Sequence, residues 1–220
     1  MNFLAHLHLA DATPASWVGN LLPDLVRGRL PDDLHPDVAA GVRTHRGVDA
    51  FTDTHPLVAR SKERLRPAHG RFAGILVDVF YDHFLARDWH RFHHAPLQQF
   101  TGEVHGAFAA HPHLMPESMR DVVVRMREQD WLCIYAQPAG IELTLRRMSR
   151  RFSERLRRRV CLEQAMVDLH AHEQALADDF ARFFPQLVAW VEARQDTADA
   201  GGAPRTGAST ATLGSVPFQG

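Results

Sequence analysis

Lysine is almost missing from this 220-residue chain: Lys62 stands alone, and every other basic residue is arginine. Cysteine is nearly as scarce, with only Cys133 and Cys161. Their spacing is not that of a thiolate metal site, so two buried free thiols in a reducing compartment are the simplest expectation. No apolar run approaches the length that crosses a bilayer, and no membrane partner is expected. The opening MNFLAHLHLADATP lacks a basic segment ahead of its short apolar stretch. That argues against a secretory signal and for a cytoplasmic protein. A large charge of either sign is also missing: the formal net charge is −1, which supplies no global attraction to nucleic acid or to a membrane surface. Neither internal repeats nor the β-branched alternation and hairpin turns of a sheet occur.

What remains is ordinary for a globular domain, with 45% hydrophobic and 23% charged residues and enough length for one sizeable core. Helical periodicity dominates and predicts an all-α, single-domain bundle. Helices are expected near 2–10, 15–27, 36–51, 56–66, 70–87, 96–109, 116–135, 140–149, 153–158 and 160–193. Pro14, Pro36, Pro56, Pro96 and Pro116 fall near the proposed starts, where proline is tolerated. Residues 196–220 turn abruptly to Gly, Ala, Ser, Thr and Pro, with no apolar period. A domain over 1–193 followed by a mobile, dispensable tail over 194–220 is the expectation.

The histidine count is 15, high for this length, and histidine suits both metal ligation and proton transfer. More telling is where acids and imidazoles fall. In ILVDVFYDHFLA, residues 75–86, Asp78 and Asp82 lie one helical turn apart inside an apolar run. Like charges so placed repel, and an unpaired buried carboxylate is costly, so something cationic should meet them: an arginine, solvent or a metal. In GVRTHRGVDAFTDTHP, residues 41–56, His45, Asp49 and Asp53 form a second stripe four residues apart, with Arg46 available as an ordinary partner for Asp49. Asp24 follows Pro23 in GNLLPDLVRG, where it also suits a helix start or turn. His6 and His8 lie on opposite sides if this stretch is a helix and on one side if it is extended; in a helix one of them at most is a ligand. A divalent cation between helices would compensate several of these acids at once. Mixed His and Asp ligands suit Mn, Fe, Zn or Mg, and oxygen-rich sets lean toward Mn or Mg.

The stretches MNFLAHLHLA, GNLLPDLVRG, GVRTHRGVDAFTD and DVFYDHFLARDW resemble the bacterial acyl carrier protein phosphodiesterases, as do the later WLCIY and DLHAHEQALADDFARFFPQL. The resemblance covers most of residues 1–190 and excludes the tail. It implies an all-helical hydrolase, distantly similar to the HD-type metal-dependent phosphohydrolases. Such an enzyme removes the 4′-phosphopantetheine arm from holo acyl carrier protein and leaves the apo protein with its serine free. Manganese is the implied metal, with Mg²⁺ or Fe²⁺ as alternatives. By position Asp24 matches a family residue tied to metal-dependent activity, His6 is preferred over His8, and His45 with Asp49 and Asp78 with Asp82 carry over as ligands or their supports. The adjacent His-Asp pair of the HD superfamily is absent; the nearest counterparts are His45 with Asp49 and the reversed Asp82-His83.

The expected site is therefore His6, Asp24, His45, Asp78 and Asp82 around the metal. Asp24, Asp49 and His83 are the catalytic candidates, Asp49 or His83 orienting water or passing a proton. Arg27 or Arg46 is available to contact phosphate. Residues 145–160, LRRMSRRFSERLRRRV, carry eight arginines against Glu154. They form either a solvated helical face or a docking surface for an acidic carrier protein, with Arg146, Arg147, Arg150 and Arg151 its first candidates. Nucleic acid is the rival ligand, but no nucleic-acid motif accompanies the patch. Two further readings stay open: an HD-like phosphohydrolase acting on a nucleotide or another small phosphoester, and a non-catalytic helical metal-binding module. The phenylalanines Phe180, Phe183 and Phe184 read as core packing.

Overall fold

The computed structural model describes residues 1–26 and 28–200. These hold nine α-helices and no strand: α1 (Phe3–His8), α2 (Pro14–Leu25), α3 (Pro36–Thr54), α4 (Pro56–His69), α5 (Ala73–Arg87), α6 (Leu97–Ala110), α7 (Glu117–Glu128), α8 (Pro138–Leu156) and α9 (Met166–Ala200). Proline occupies the first turn of α2, α3, α4 and α8, where its missing N–H costs nothing. Thr13 caps α2 by accepting from the Ser16 N–H, and His35 caps α3 by accepting from the Asp37 N–H. His55 ends α3 and also begins α4, its Nδ1 accepting from the Leu57 N–H.

Three of the expected helix assignments changed. The segment 116–135 is not one helix: α7 stops at Glu128, Asp130 takes a left-handed backbone (φ 47°), and a short 3₁₀ turn follows at Cys133–Ala136. A short polar residue such as Asp visits that region more readily than most. The two pieces expected at 140–149 and 153–158 are instead the single helix α8, since nothing between them breaks the backbone ladder. It ends where Arg157 turns left-handed (φ 50°). Helix α9 continues past residue 193 to Ala200, and residues 201–220, most of the expected tail, lie outside the described residues.

Helix α5 runs through the middle and is buried nearly all round, from Leu76 and Val77 to Leu85 and Ala86. It packs against α1, α4, α8, α9 and the turn at Cys133–Ala136. The expected phenylalanine stripe on α9 is core: Phe180, Phe183 and Phe184 are buried, and Tyr81 of α5 meets Phe180 edge-on at 5.3 Å. Helix α9 also carries the buried Asp179, which accepts from Arg60, Ser61 and Arg64 of α4. Burial works against that carboxylate's charge, yet these donors hold its pKa below the usual value. The Ser61 hydroxyl lies 2.9 Å from the Tyr81 hydroxyl and ties α5 into the same knot.

Helices α2 and α3 pack face to face through Gly19 and Gly41. A methyl group on Gly41 would lie 2.7 Å from the Ser16 carbonyl oxygen and 2.9 Å from the Gly19 Cα. Only glycine at both positions lets the two backbones come this close.

Candidate metal centre

That close approach places the main chain of α2 against the side chains of α3. Nδ1 of His45, one turn after Gly41, donates to the Asn20 carbonyl oxygen at 2.8 Å. The bond fixes the ring and turns Nε2 outward, the arrangement in which second partners usually hold ligating histidines. Nε2 then lies 3.1 Å from Asp49 Oδ2, one turn further along α3, and 3.9 Å from Asp24 Oδ1 of α2.

Helix α1 brings His6 to the same place. Its ring stacks on that of His45, centroids 4.0 Å apart and planes 23° from parallel. His6 Nε2 is 3.3 Å from Asp49 Oδ1, but neither buried ring nitrogen makes a well-formed hydrogen bond. One donor atom each from His6, His45 and Asp49 falls within 4.8 Å of the others, the one such group among the described residues. Two imidazole nitrogens and a carboxylate oxygen, with Asp24 alongside, suit a divalent ion such as Mn²⁺, Fe²⁺ or Zn²⁺. Nε2 of His6, which faces Asp49 without a well-formed hydrogen bond, is the nitrogen a bound cation would take up.

The imidazoles form the floor and the acids the mouth: His6 and His45 are buried, whereas the side chains of Asp24 and Asp49 are 33% and 42% exposed. Burial pulls the His6 pKa down to about 4 against the opposing effect of the nearby Asp49 carboxylate, leaving the ring neutral. For His45 burial acts in the same direction, but Asp49 and Asp24 prevail and its pKa is raised. Burial disfavours charge on Asp49 too; the close approach of the His45 and His6 rings outweighs it and its pKa falls. Burial raises that of Asp24, opposed by His45 and reinforced by Asp49.

The two α5 acids part company. Asp78 Oδ1 lies 3.1 Å from the α-ammonium of Met1, which is itself 3.6 Å from Asp49 Oδ1. Burial opposes charge on that ammonium, but attraction to Asp78, Asp49 and Asp82 raises its pKa to about 10. Burial raises the pKa of Asp78 in spite of the ammonium. Asp82 meets backbone instead: Oδ2 accepts from the Leu4 N–H at 2.8 Å and Oδ1 from the Asn2 N–H at 3.3 Å. Burial pushes its pKa up to about 7.

Of the expected residues, the fold thus gathers His6, Asp24, His45 and Asp49, with Asp78 adjoining through Met1 and Asp82 beneath α1. His83 is elsewhere: its Nδ1 lies 2.7 Å from the Tyr135 carbonyl oxygen, which satisfies it locally. His8 Nε2 contacts the Phe92 carbonyl oxygen at 3.0 Å. Asp53, in line with His45 and Asp49 on paper, pairs with Lys62. Arg46 is exposed rather than paired with Asp49, and Arg27 lies outside the described residues. Arg150 and Arg151 are exposed on α8, Arg147 is half-buried, and Arg146 pairs with Glu142. Sequence reasoning missed Asn20, whose contribution is a carbonyl oxygen that no side-chain pattern announces, and Tyr135.

No described helix is long and apolar enough to cross a membrane. No solved structure matches the chain significantly. Residues 1–187 match the family described as acyl carrier protein phosphodiesterase. Similar curated proteins include the acyl carrier protein phosphodiesterase of Photorhabdus laumondii, 36% identical over 86% of this chain and 93% of the relative. Those of Salmonella agona and Salmonella newport are 37% identical over 86% of this chain and 96% of each relative. Together with the helical fold, this coverage shows that the chain belongs to the acyl carrier protein phosphodiesterase family and is a hydrolase of phosphodiester bonds.

Proposed function

We propose that the protein is a metal-dependent phosphodiesterase that hydrolyses the 4′-phosphopantetheine arm from holo acyl carrier protein and releases the apo protein. The observation that carries this reading is the cluster of His6, His45 and Asp49, with buried imidazole nitrogens that lack hydrogen-bond partners beside two solvent-reaching acids. The family's printed name supplies the substrate, and the helical frame fits a distant likeness to the HD phosphohydrolases.

His6, His45 and Asp49 would hold the ion, with Asp24 at its open side; Mn²⁺ is the first candidate, then Mg²⁺ or Fe²⁺. When bound, such an ion supplies Lewis acidity toward both water and the phosphoryl group. The chain's own groups do the rest. The Asn20 carbonyl keeps His45 Nε2 facing Asp49 and Asp24. Asp24, whose pKa is raised at the mouth, is placed to take a proton from the attacking water. The leaving group is the carrier protein's serine oxygen. The arginines of α8, the exposed Arg150 and Arg151 foremost, with Arg146 and the half-buried Arg147, would receive the carrier protein by charge complementarity.

The test is incubation of the purified chain with holo acyl carrier protein and Mn²⁺, followed by mass measurement of the carrier protein. Loss of the phosphopantetheine mass supports the reading. An intact carrier protein alongside cleavage of a nucleotide or generic phosphodiester replaces it with a small-molecule phosphohydrolase. Metal uptake without any hydrolysis reduces it to a binding module.

A further inference from the structure

Asp78 and Asp82 look equivalent in sequence, one turn apart on α5, yet only Asp78 touches a charged group, the Met1 ammonium that adjoins Asp49. Both oxygens of the fully buried Asp82 are committed to backbone N–H groups at the start of α1. That helix has only six residues and no side-chain cap of its own, since Asn2 at its N-cap bonds elsewhere. So short a helix does not hold itself together in water. Its orphan first-turn N–H groups need an acceptor, and the carboxylate of Asp82 is that acceptor.

A second tether meets the same residue. The Asn2 side-chain amide donates to the Tyr135 hydroxyl at 2.8 Å, and Tyr135 is itself almost completely buried. The Asn2 carbonyl oxygen in turn accepts from the His6 N–H at 3.3 Å. One continuous path therefore leads from Asp82 and Tyr135, through Asn2, to the backbone of His6.

We propose that Asp82 is a positioning residue: with the Tyr135 hydroxyl it pins the start of α1 and so sets His6 against His45 and Asp49. The proposal rests on reading those three residues as the metal centre. It gives Asp82 a role distinct from ligation, acting through His6 without touching the ion. Removal of such supporting partners typically costs roughly 10- to 100-fold in metal affinity.

The experiment compares the full-length chain with Asp82→Ala, Asp82→Asn and Tyr135→Phe. Two quantities are read: Mn²⁺ affinity by titration calorimetry, and hydrogen exchange of the α1 amides in the metal-free protein, with α9 amides as internal reference. Asp82→Ala is expected to bind Mn²⁺ at least about tenfold more weakly and to exchange the His6 amide faster while α9 is unchanged. Asp82→Asn keeps a carbonyl oxygen for the Leu4 N–H and should recover most of both. Tyr135→Phe conserves volume and should shift both in the same direction by less, so the question stays answerable if the alanine variant does not fold. Equal loss of Mn²⁺ binding in the alanine and asparagine variants, with α1 exchange unchanged, would make Asp82 a direct ligand and overturn the proposal. Unchanged affinity and exchange in all three would overturn it too. Should the parent chain take up no Mn²⁺, the metal-centre reading fails, and the exchange measurement alone decides whether Asp82 holds α1.

Discussion

Replacing Gly41 by alanine tests the contact on which the site's geometry depends. The added methyl would meet the Ser16 oxygen at 2.7 Å, the Gly19 Cα at 2.9 Å and the Asn20 nitrogen at 3.2 Å, all of them backbone atoms that cannot swing aside. Helices α2 and α3 must separate by about 0.7 Å to restore ordinary contact. Overpacking of this kind costs roughly 3 kcal/mol at the upper end of its usual range. The better helix propensity of alanine returns about 1 kcal/mol, leaving a net loss of ~2 kcal/mol. For a chain of this size that lowers the melting temperature by roughly 4–8 °C. The same separation stretches the 2.8 Å bond from His45 Nδ1 to the Asn20 oxygen, so Mn²⁺ affinity should fall about tenfold. Urea and thermal unfolding of the metal-free protein read the first effect, and calorimetric Mn²⁺ titration the second. Gly102→Ala on α6, where nothing lies within 4 Å of the new methyl, is the control and should be neutral or slightly stabilising. A Gly41→Ala protein that melts with the wild type and binds Mn²⁺ equally well would refute the claim that this glycine pair sets the position of His45.

Other outcomes follow from the same geometry. His45→Ala should abolish Mn²⁺ uptake while leaving helix content intact, as circular dichroism beside calorimetry would reveal. Asp24→Ala should lose turnover of holo acyl carrier protein by at least about a hundredfold while the chain stays folded; near-normal turnover removes its proposed role in proton transfer. Asp179→Asn should lose roughly 1.5–3 kcal/mol at pH 7, because the buried carboxylate gives up its charge-assisted bonds to two solvent-reaching arginines. The native pKa of Asp179 is depressed, so its contribution is full above the ordinary carboxylate range and is lost as pH falls through the native value. The gap between wild type and variant in urea should accordingly narrow toward pH 3. Charge reversal at Arg150 and Arg151 should raise KM for the carrier protein and flatten its salt dependence, without changing cleavage of a small phosphodiester.

Much of the fold was legible because proline and periodicity speak locally. Pro14, Pro36 and Pro56 stand in first turns, Pro96 and Pro116 sit at the N-caps of α6 and α7, and the apolar run of α5 becomes the buried axis. The break at Asp130 was not legible: α7 packs on α2 and α6 while the turn after it packs on α5 and α8, and neither glycine nor proline marks the change of direction. In the site, the four-residue stripe of His45 and Asp49 foretold that they face one way, since both lie on one helix. It could not tell which acid would sit between two imidazoles. Asp49 takes that place only because α1 delivers His6 from another direction. Asp78 and Asp82 share a stripe as well, yet one meets an ammonium and the other a helix start, a difference made by what packs on α5. The Asn20 carbonyl was invisible for a simpler reason: every residue has one.

His55 joins two helices with no linker to spare. It closes α3 and opens α4, while its Nε2 reaches Gln186 and its ring meets Phe183, both on α9. A corner this tight makes α3 and α4 a single lever with its fulcrum on α9. Whatever seats the α4 arm at Asp179 also aims the α3 arm bearing His45 and Asp49, so a substitution deep in the α9 contact would misalign the cluster without coming near it.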